Sequence, residues 1–314
     1  MVATEFELIK QYFTRPARHK NTQLSVGDDC ALLSVPEGYE LAITTDTMVE
    51  NIHFFADVDP EHLGYKLLAV NLSDLASMGA EPIAVTLALT LPEIDSAWLQ
   101  AFAKGLFNLA DQYAIDLIGG DTTSGPLTLT VQAMGSVPKG EALRRSTAQI
   151  GDLIYVTGHV GDAGLGLKVK QGYDCGDDSY VLQRFNCPAP RIKEGLLLRG
   201  LANACVDISD GLAADLRHIL AQSGVGACLD YQQLPLSKAV KEYIGATGDW
   251  ALPLVAGDDY ELCFSLSPAK AAQLNMACTC IGVIERESGL RLVRHGVESE
   301  FLNNGFEHFV KGGD

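Results

Sequence analysis

No stretch of this 314-residue chain approaches the ~20 consecutive apolar residues that a bilayer-spanning helix requires. The opening MVATEFELIKQYF has the spacing of an amphipathic helix rather than a secretory signal, so a soluble, cytoplasmic protein is expected. Basic residues are scarce: 23 Lys and Arg stand against 40 Asp and Glu, and no Lys/Arg run relieves the net charge of −17. Such a surface repels a phosphate backbone, which argues against nucleic acid as a partner. A small polyanion is different, because a divalent cation can lie between it and an acidic protein. The motifs hold no Ser-His-Asp or Cys-His arrangement for nucleophilic catalysis. The glycine-rich segment from Gly158 to Gly166 has Leu167-Lys168 where a P-loop needs Lys-Ser/Thr, and it fails the dinucleotide pattern as well. Internal repeats and low-complexity segments are absent. The eight cysteines are scattered, several inside apolar runs such as Leu262-Cys263-Phe264, as reduced buried thiols are. The close pair Cys278 and Cys280 reads as two strand thiols on opposite faces rather than a metal or redox site.

What the chain does have is carboxylate at the ends of expected strands and helices. Five segments carry it: Val26-Gly27-Asp28-Asp29, Ile43-Thr44-Thr45-Asp46, Asn71-Leu72-Ser73-Asp74, Gly119-Gly120-Asp121-Thr122 and Val206-Asp207-Ile208-Ser209-Asp210. Asp carboxylates beside Ser or Thr hydroxyls are hard oxygen ligands, suited to Mg²⁺ bridged to substrate phosphates. Taken singly, each segment reads equally well as a turn, a helix cap or a strand end. Their recurrence favours cation binding, since adjacent carboxylates such as Asp28 and Asp29 repel unless a cation or donors neutralise them. The chemistry implied is metal-assisted phosphoryl transfer.

The length suits two domains at roughly 150 residues each. The first half reads as a short helix over 5–13, strands near 41–46, 83–90 and 127–137, and helices near 60–78 and 95–113. Within 60–78, Asn71 and Asp74 fall one turn apart on one face. A polar stretch between Pro138 and Gly151 marks the boundary, dividing the chain into 1–138 and 139–314. The second half reads as a glycine-rich turn and helix over 158–171, a helix at 211–223, and strands at 204–207, 226–231, 261–266, 279–284 and 290–293. The fold class is therefore α/β or α+β in two domains. The Gly119-Gly120 pair reads as a strand-to-turn junction that also lets backbone approach a phosphate. The acidic turn near 253–262 reads as a substrate contact or as a solvated hairpin. His53 and the Arg144-Arg145 pair are, by themselves, more often packed and solvated respectively than phosphate ligands, and Trp98 and Trp250 read as core or partly buried surface.

Gly27-Asp28-Asp29-Cys30-Ala31, Thr44-Thr45-Asp46, the run from Asn71 to Pro82, Gly119-Gly120-Asp121-Thr122, Asp207-Ile208-Ser209-Asp210-Gly211-Leu212 and Asp259-Tyr260-Glu261-Leu262 together resemble the bacterial thiamine-monophosphate kinases. The resemblance runs from the first helix to Gly305-Phe306-Glu307-His308-Phe309. The wider superfamily includes aminoimidazole ribonucleotide synthetase and selenophosphate synthetase. The resemblance implies a homodimer, in which the N-terminal domains form a β-barrel across subunits and a C-terminal α/β domain packs beside each, with ATP between the domains. It implies several Mg²⁺ ions held by Asp29, Thr44, Thr45, Asp46, Asp74, Asp121, Asp207 and Asp210. ATP would be contacted by Tyr113, Gly120, Asp121, Arg145 and Ser209, and thiamine monophosphate by His53, Asp258 and Phe306. Asp258 stands where relatives commonly carry Glu. The activity implied is ATP-dependent phosphorylation of thiamine monophosphate to thiamine diphosphate, by direct in-line transfer without a general base. The competing readings are another ATP-dependent synthetase of the superfamily and a non-catalytic nucleotide- or cation-binding relative.

Overall fold

The computed structural model describes residues 5–303 and 305, which form two compact units that each mix helices with strands. The first unit runs up to Leu75 and takes in Ala80–Ala142; the second takes Ala76–Gly79 and the chain from Leu143 onward. Residues 76–79 belong to the second unit through specific bonds. Met78 O accepts from Leu143 N at 3.1 Å, and Gly79 O accepts from Arg199 Nε at 2.6 Å.

In the first unit, α1 (Glu5–Leu8) passes into a π-helical turn over Ile9–Phe13, where a single α-helix was expected. A short ribbon follows, β1 (Thr22–Leu24) with β2 (Leu32–Leu33), and then β3 (Tyr39–Val49), α2 (Pro60–Ser77), β4 (Glu81–Leu91), α3 (Ser96–Gln112), β5 (Asp116–Ser124) and β6 (Thr128–Pro138). The main sheet has the order β3-β6-β4-β5, with β4 and β5 parallel across the α3 crossover and the other pairs antiparallel. Leu63, Leu67, Leu68, Leu72 and Leu75 of α2 and Leu99, Phe102, Leu106 and Leu109 of α3 are all but fully buried. This unit's core therefore lies between the two helices and one face of the sheet. The other face is partly covered at Ile83, Ala84, Ile118 and Met134, against Ala31 and Leu33.

β5 corrects one expectation. The strand does not turn at Gly119-Gly120 but stays paired with β4 as far as Ser124. Gly120 has φ +153°, and a Cβ there would stand 1.9 Å from Leu87 O, so only glycine lets the two strands pair through this position.

The second unit holds β7 (Leu153–Val156), α4 (Asp162–Lys170), α5 (Ser179–Asn186), α6 (Ile192–Leu198), β8 (Ala204–Asp207), α7 (Leu212–Ser223), β9 (Gly226–Asp230), α8 (Lys238–Thr247), α9 (Leu252–Val255), β10 (Leu262–Leu266), β11 (Thr279–Glu285), β12 (Gly289–Arg294) and β13 (Val297–Glu300). Its seven-stranded sheet runs β13-β12-β9-β11-β7-β10-β8, antiparallel except between β12 and β9. β10 is buried along its whole length, and the core gathers Ile154, Val206, Leu216, Leu229 and Ile281 around it. The sequence pattern did not reveal α5, α6 or α8.

Two further expectations are corrected. The segment 253–262 is no solvated hairpin: Asp259 is 1% exposed and Glu261 fully enclosed. The thiols of Cys278 and Cys280 do not point to opposite faces, because residues two apart in an extended chain share a face, and both act on the Tyr155 phenol. All eight cysteines are free thiols, as expected.

Glu261 accepts from Arg191 Nε at 2.6 Å, from Arg184 Nη2 at 2.7 Å and from Thr157 Oγ1 at 2.6 Å. Removing that charge strands two arginines whose side chains are only 13% and 23% exposed. Glu261→Ala is expected to cost about 3 kcal/mol or more in urea unfolding; a loss of only a few tenths would show that the arginines find solvent instead.

Candidate functional site

The first unit brings part of the expected ligand set together on the helix-covered face of its sheet. Side chains alternate along β3, so Ala42, Thr44, Asp46 and Met48 turn toward α2, while Leu41, Ile43, Thr45 and Thr47 turn away. Asn71 and Asp74, one turn apart on α2, meet that row. Thr44 Oγ1 donates a short hydrogen bond to Asp74 Oδ2, and Asn71 Oδ1 accepts from Asp46 N at 3.2 Å. Asn71 is itself steadied by Nδ2 donating to Leu67 O at 3.0 Å. Burial first, and then the neighbouring Asp74, push the Asp46 carboxyl up to about 7.

The register separates this group from Asp121. Asp46 lies in the row Asp46–Val131–Leu87–Gly120, whereas Asp121 lies in the next row, with Ala88, Thr130 and Thr47. Adjacent rows point to opposite faces, so Asp121 and Thr45 share the open face and Thr44, Asp46 and Asp74 the covered one. Asp121 and Thr45 are exposed, and Thr45 Oγ1 accepts from Gln132 Nε2 at 3.5 Å. Asp29 is exposed too, its N–H bonded to Asp28 Oδ1 at 2.9 Å. His53 sits at the end of β3, with Nδ1 accepting from Val49 N at 3.0 Å. Tyr113 is half-buried and closes α3 by donating its N–H to Ala110 O at 3.3 Å. Among the described residues no three His, Cys, Asp or Glu side chains converge as a ready metal cage.

The second unit presents a tighter platform. Asp207 ends β8 and is buried, while Ser209 and Asp210 follow in a turn that one carboxylate gathers. Asp215 Oδ2 accepts from Ser209 N and Asp210 N at 3.0 Å each and from Gly211 N at 3.2 Å. Burial and the charge on Asp210 push Asp215 up to about 7, against those backbone donors and against Arg145, whose charge reaches the same carboxyl. Arg145 is half-buried and therefore acts at the turn that holds Ser209 and Asp210.

A second segment is laced onto this turn. Ile208 N donates to Glu261 O at 2.8 Å, Tyr260 N to Ile208 O at 2.8 Å and Asp258 N to Ser209 O at 2.9 Å. Gly257 allows the approach, for a Cβ there would stand 2.0 Å from Ser209 O. Asp258 is thereby held next to Ser209 and Asp210. Its neighbour Asp259 caps α4, accepting from Gly161 N at 2.6 Å and Ala163 N at 3.1 Å, and burial pushes its carboxyl up to about 8. The chain's last described part also reaches this turn. Arg217 Nη1 donates to Asn303 O at 2.7 Å, and Gly305 packs onto Asp210 O so closely that a Cβ would stand 1.9 Å away. Phe306 itself lies outside the described residues.

Comparison with known proteins matches these features to a family. The model of the AIR synthase related protein N-terminal domain matches residues 27–137, and that of the C-terminal domain matches 149–292. The thiamine-monophosphate kinase of Salmonella typhimurium is 47% identical over 325 residues, covering 99% of each chain. The chain belongs to the thiamine-monophosphate kinase family. The crystal structure of a thiamine-monophosphate kinase from Stenotrophomonas maltophilia K279a is 44% identical, with a TM-score of 0.81, covering 87% of this chain and 91% of that one. A structure of AaThiL complexed with AMPPCP and TMP is 30% identical, with a TM-score of 0.79, covering 91% and 92%. Within the kinase family frame, sequence reasoning missed Arg184, Arg191 and Thr157, which hold Glu261. Nothing in their local sequence marks them, because an arginine in or beside a helix ordinarily reads as solvated, and a threonine after a strand as part of a turn.

The Asp46–Asp74 pair has a measurable signature. A carboxyl whose pKa rises on folding contributes stability below its unfolded value, and loses it as pH climbs through the folded one. For Asp46 that window runs from 3.8 to about 7. Without divalent cation, Asp46→Asn is expected to gain thermal stability over the parent protein above about pH 7 and to gain nothing near pH 4. Parallel Tm profiles for the two proteins would show that folding does not raise the Asp46 carboxyl.

Proposed function

We propose that this chain is an ATP-dependent thiamine-phosphate kinase, transferring the γ-phosphoryl group of ATP onto the phosphate of thiamine monophosphate to give thiamine diphosphate and ADP. The observation that carries this reading is 47% identity over 99% of both chains to a thiamine-monophosphate kinase. The bound AMPPCP and TMP of the AaThiL relative support ATP as donor and thiamine monophosphate as acceptor.

The oxygen-rich groups fit Mg²⁺: they are hard donors, and the charged form of Asp46, opposed first by burial and then by Asp74, is the form a cation beside it favours. Asp29, Thr44, Thr45, Asp46, Asp74, Asp121, Asp207 and Asp210 are the proposed ligands. When bound, Mg²⁺ neutralises the repulsion between the two polyanions and the charge on the transferring group. The chain's own residues position. Tyr113, Gly120, Asp121, Arg145 and Ser209 are proposed to hold ATP, and His53, Asp258 and Phe306 thiamine monophosphate. The acceptor oxygen is already anionic, so no side chain has to remove a proton, and transfer is direct and in line. The domain roles follow: 1–138 carries most cation ligands and the dimer surface, and 139–314 carries Ser209, Asp210 and Asp258.

A homodimer built on the first unit's open face is part of the proposal. β3 is an edge of its sheet and exposes Tyr39, Leu41 and Ile43 at 42%, 39% and 57%. An eleven-residue edge strand with an apolar face is ordinarily covered by another chain.

The decisive assay incubates the protein with ATP, Mg²⁺ and thiamine monophosphate and separates thiamine diphosphate as its fluorescent thiochrome derivative. Product is expected only with ATP and metal present, and Asp46→Asn is expected to abolish it; full activity in that variant would overturn the ligand assignment. With γ-labelled ATP, no labelled protein is expected after a chemical quench. Light scattering is expected to give a dimer for the parent protein and a monomer for Ile43→Glu; a monomeric parent would overturn the assembly.

A further inference from the structure

The segment from Asp258 to Glu261 alternates two kinds of residue. Asp259 and Glu261 point inward and are consumed by backbone N–H groups, arginines and Thr157. Asp258 and Tyr260, both half-buried, have φ of +67° and +49°, in the left-handed region that side chains other than Gly, Asn and Asp seldom enter. A tyrosine there is costly, and such strain persists only where the surroundings over-determine it. Here they do, through the two buried carboxylates beside it and the bonds from Asp258 N and Tyr260 N to Ser209 O and Ile208 O. The result of that backbone is specific. Tyr260 Oη stands 3.0 Å from Asp258 Oδ1 and donates to it.

We infer that Tyr260 is a positioning residue for Asp258, its phenol fixing the carboxylate that meets the thiamine monophosphate acceptor. The inference rests on the function proposed above. A segment needed only to close the fold is served as well by glycine at both positive-φ positions, and glycine would carry no phenol. An aspartate reaches less far than a glutamate, so the rotation of its short side chain decides where its oxygens lie. The phenol selects one such rotation.

The test is a double-substitution cycle in steady-state kinetics, using Tyr260→Phe, Asp258→Gly and both together. Phe keeps the ring without its hydroxyl, and Gly adopts the left-handed backbone at position 258 without offering an acceptor, so each change removes the hydrogen bond and leaves the chain's path unstrained. Tyr260→Phe is expected to raise KM for thiamine monophosphate about five- to tenfold while leaving KM for ATP unchanged. In the Asp258→Gly background the same change is expected to add nothing, because the oxygen that accepts from the phenol is gone. An unchanged acceptor KM, or an equal factor in both backgrounds, overturns the inference while leaving the kinase assignment intact. So does a Tyr260→Phe protein that melts early and loses kcat and both affinities together, which would mark a structural role. Absence of thiamine diphosphate with the parent protein overturns the kinase assignment and the inference with it.

Discussion

The enclosed carboxylate of Glu261 is the constraint on which the second unit's working surface depends. Burying a charge is tolerable only when it is paired and its remaining lone pairs are satisfied, and here two arginines and a threonine meet that demand. The arginines come from α5 and from the residue just before α6, and the threonine follows β7, so one side chain ties three separate stretches to the start of β10. Glu261 thereby anchors the backbone that carries Tyr260 and Asp258. Their backbone bonds carry the constraint on to Ile208 and Ser209, and Asp215 carries it through the turn to Asp210.

Carboxylates therefore play two opposite parts in this chain. Asp215, Asp259 and Glu261 are surrounded by donors and act as anchors. Asp46 and Asp74 instead oppose each other in a place where Asp46 is also shielded from water. The rise of Asp46 from 3.8 to about 7 corresponds to on the order of 4 kcal/mol favouring the neutral form. A fold gains nothing from such an arrangement unless a cation repays it, and Asn71 and Thr44 hold the two carboxyls in place instead of letting them separate.

Much of this was legible in the sequence because it is periodic. The long helices and strands of the first unit follow apolar spacing, and the i, i+3 relation of Asn71 and Asp74 puts both on one face of α2. The boundaries at Gly119-Gly120 and at 253–262 were not legible, for a shared reason. In each, a local signal for a turn is overruled by a partner distant in sequence: Leu87 across from Gly120, and Ile208 to Asp210 across from Gly257 to Glu261. The helices α5, α6 and α8 escaped because they are short and half-polar, and what fixes them is packing. For the candidate site, motif spacing identified residues but not faces. Thr45 sits between Thr44 and Asp46 in sequence, yet the pleat turns it to the other side of the sheet.

On the proposed chemistry, a kinase of this kind has no need of a catalytic base. A phosphate acceptor needs no deprotonation, so a titrating side chain at its oxygen would add no driving force, whereas a misplaced polyanion would cost rate steeply. Selection on such a site falls on rigidity and on charge balance. The chain meets the first demand with anchored carboxylates under the Ser209–Asp210 turn and the strained pair Asp258 and Tyr260. On the function proposed above, the second demand falls to carboxylates offered to cations, so that a polypeptide of net charge −17 would hold two anionic substrates with the opposing charge brought by the metal.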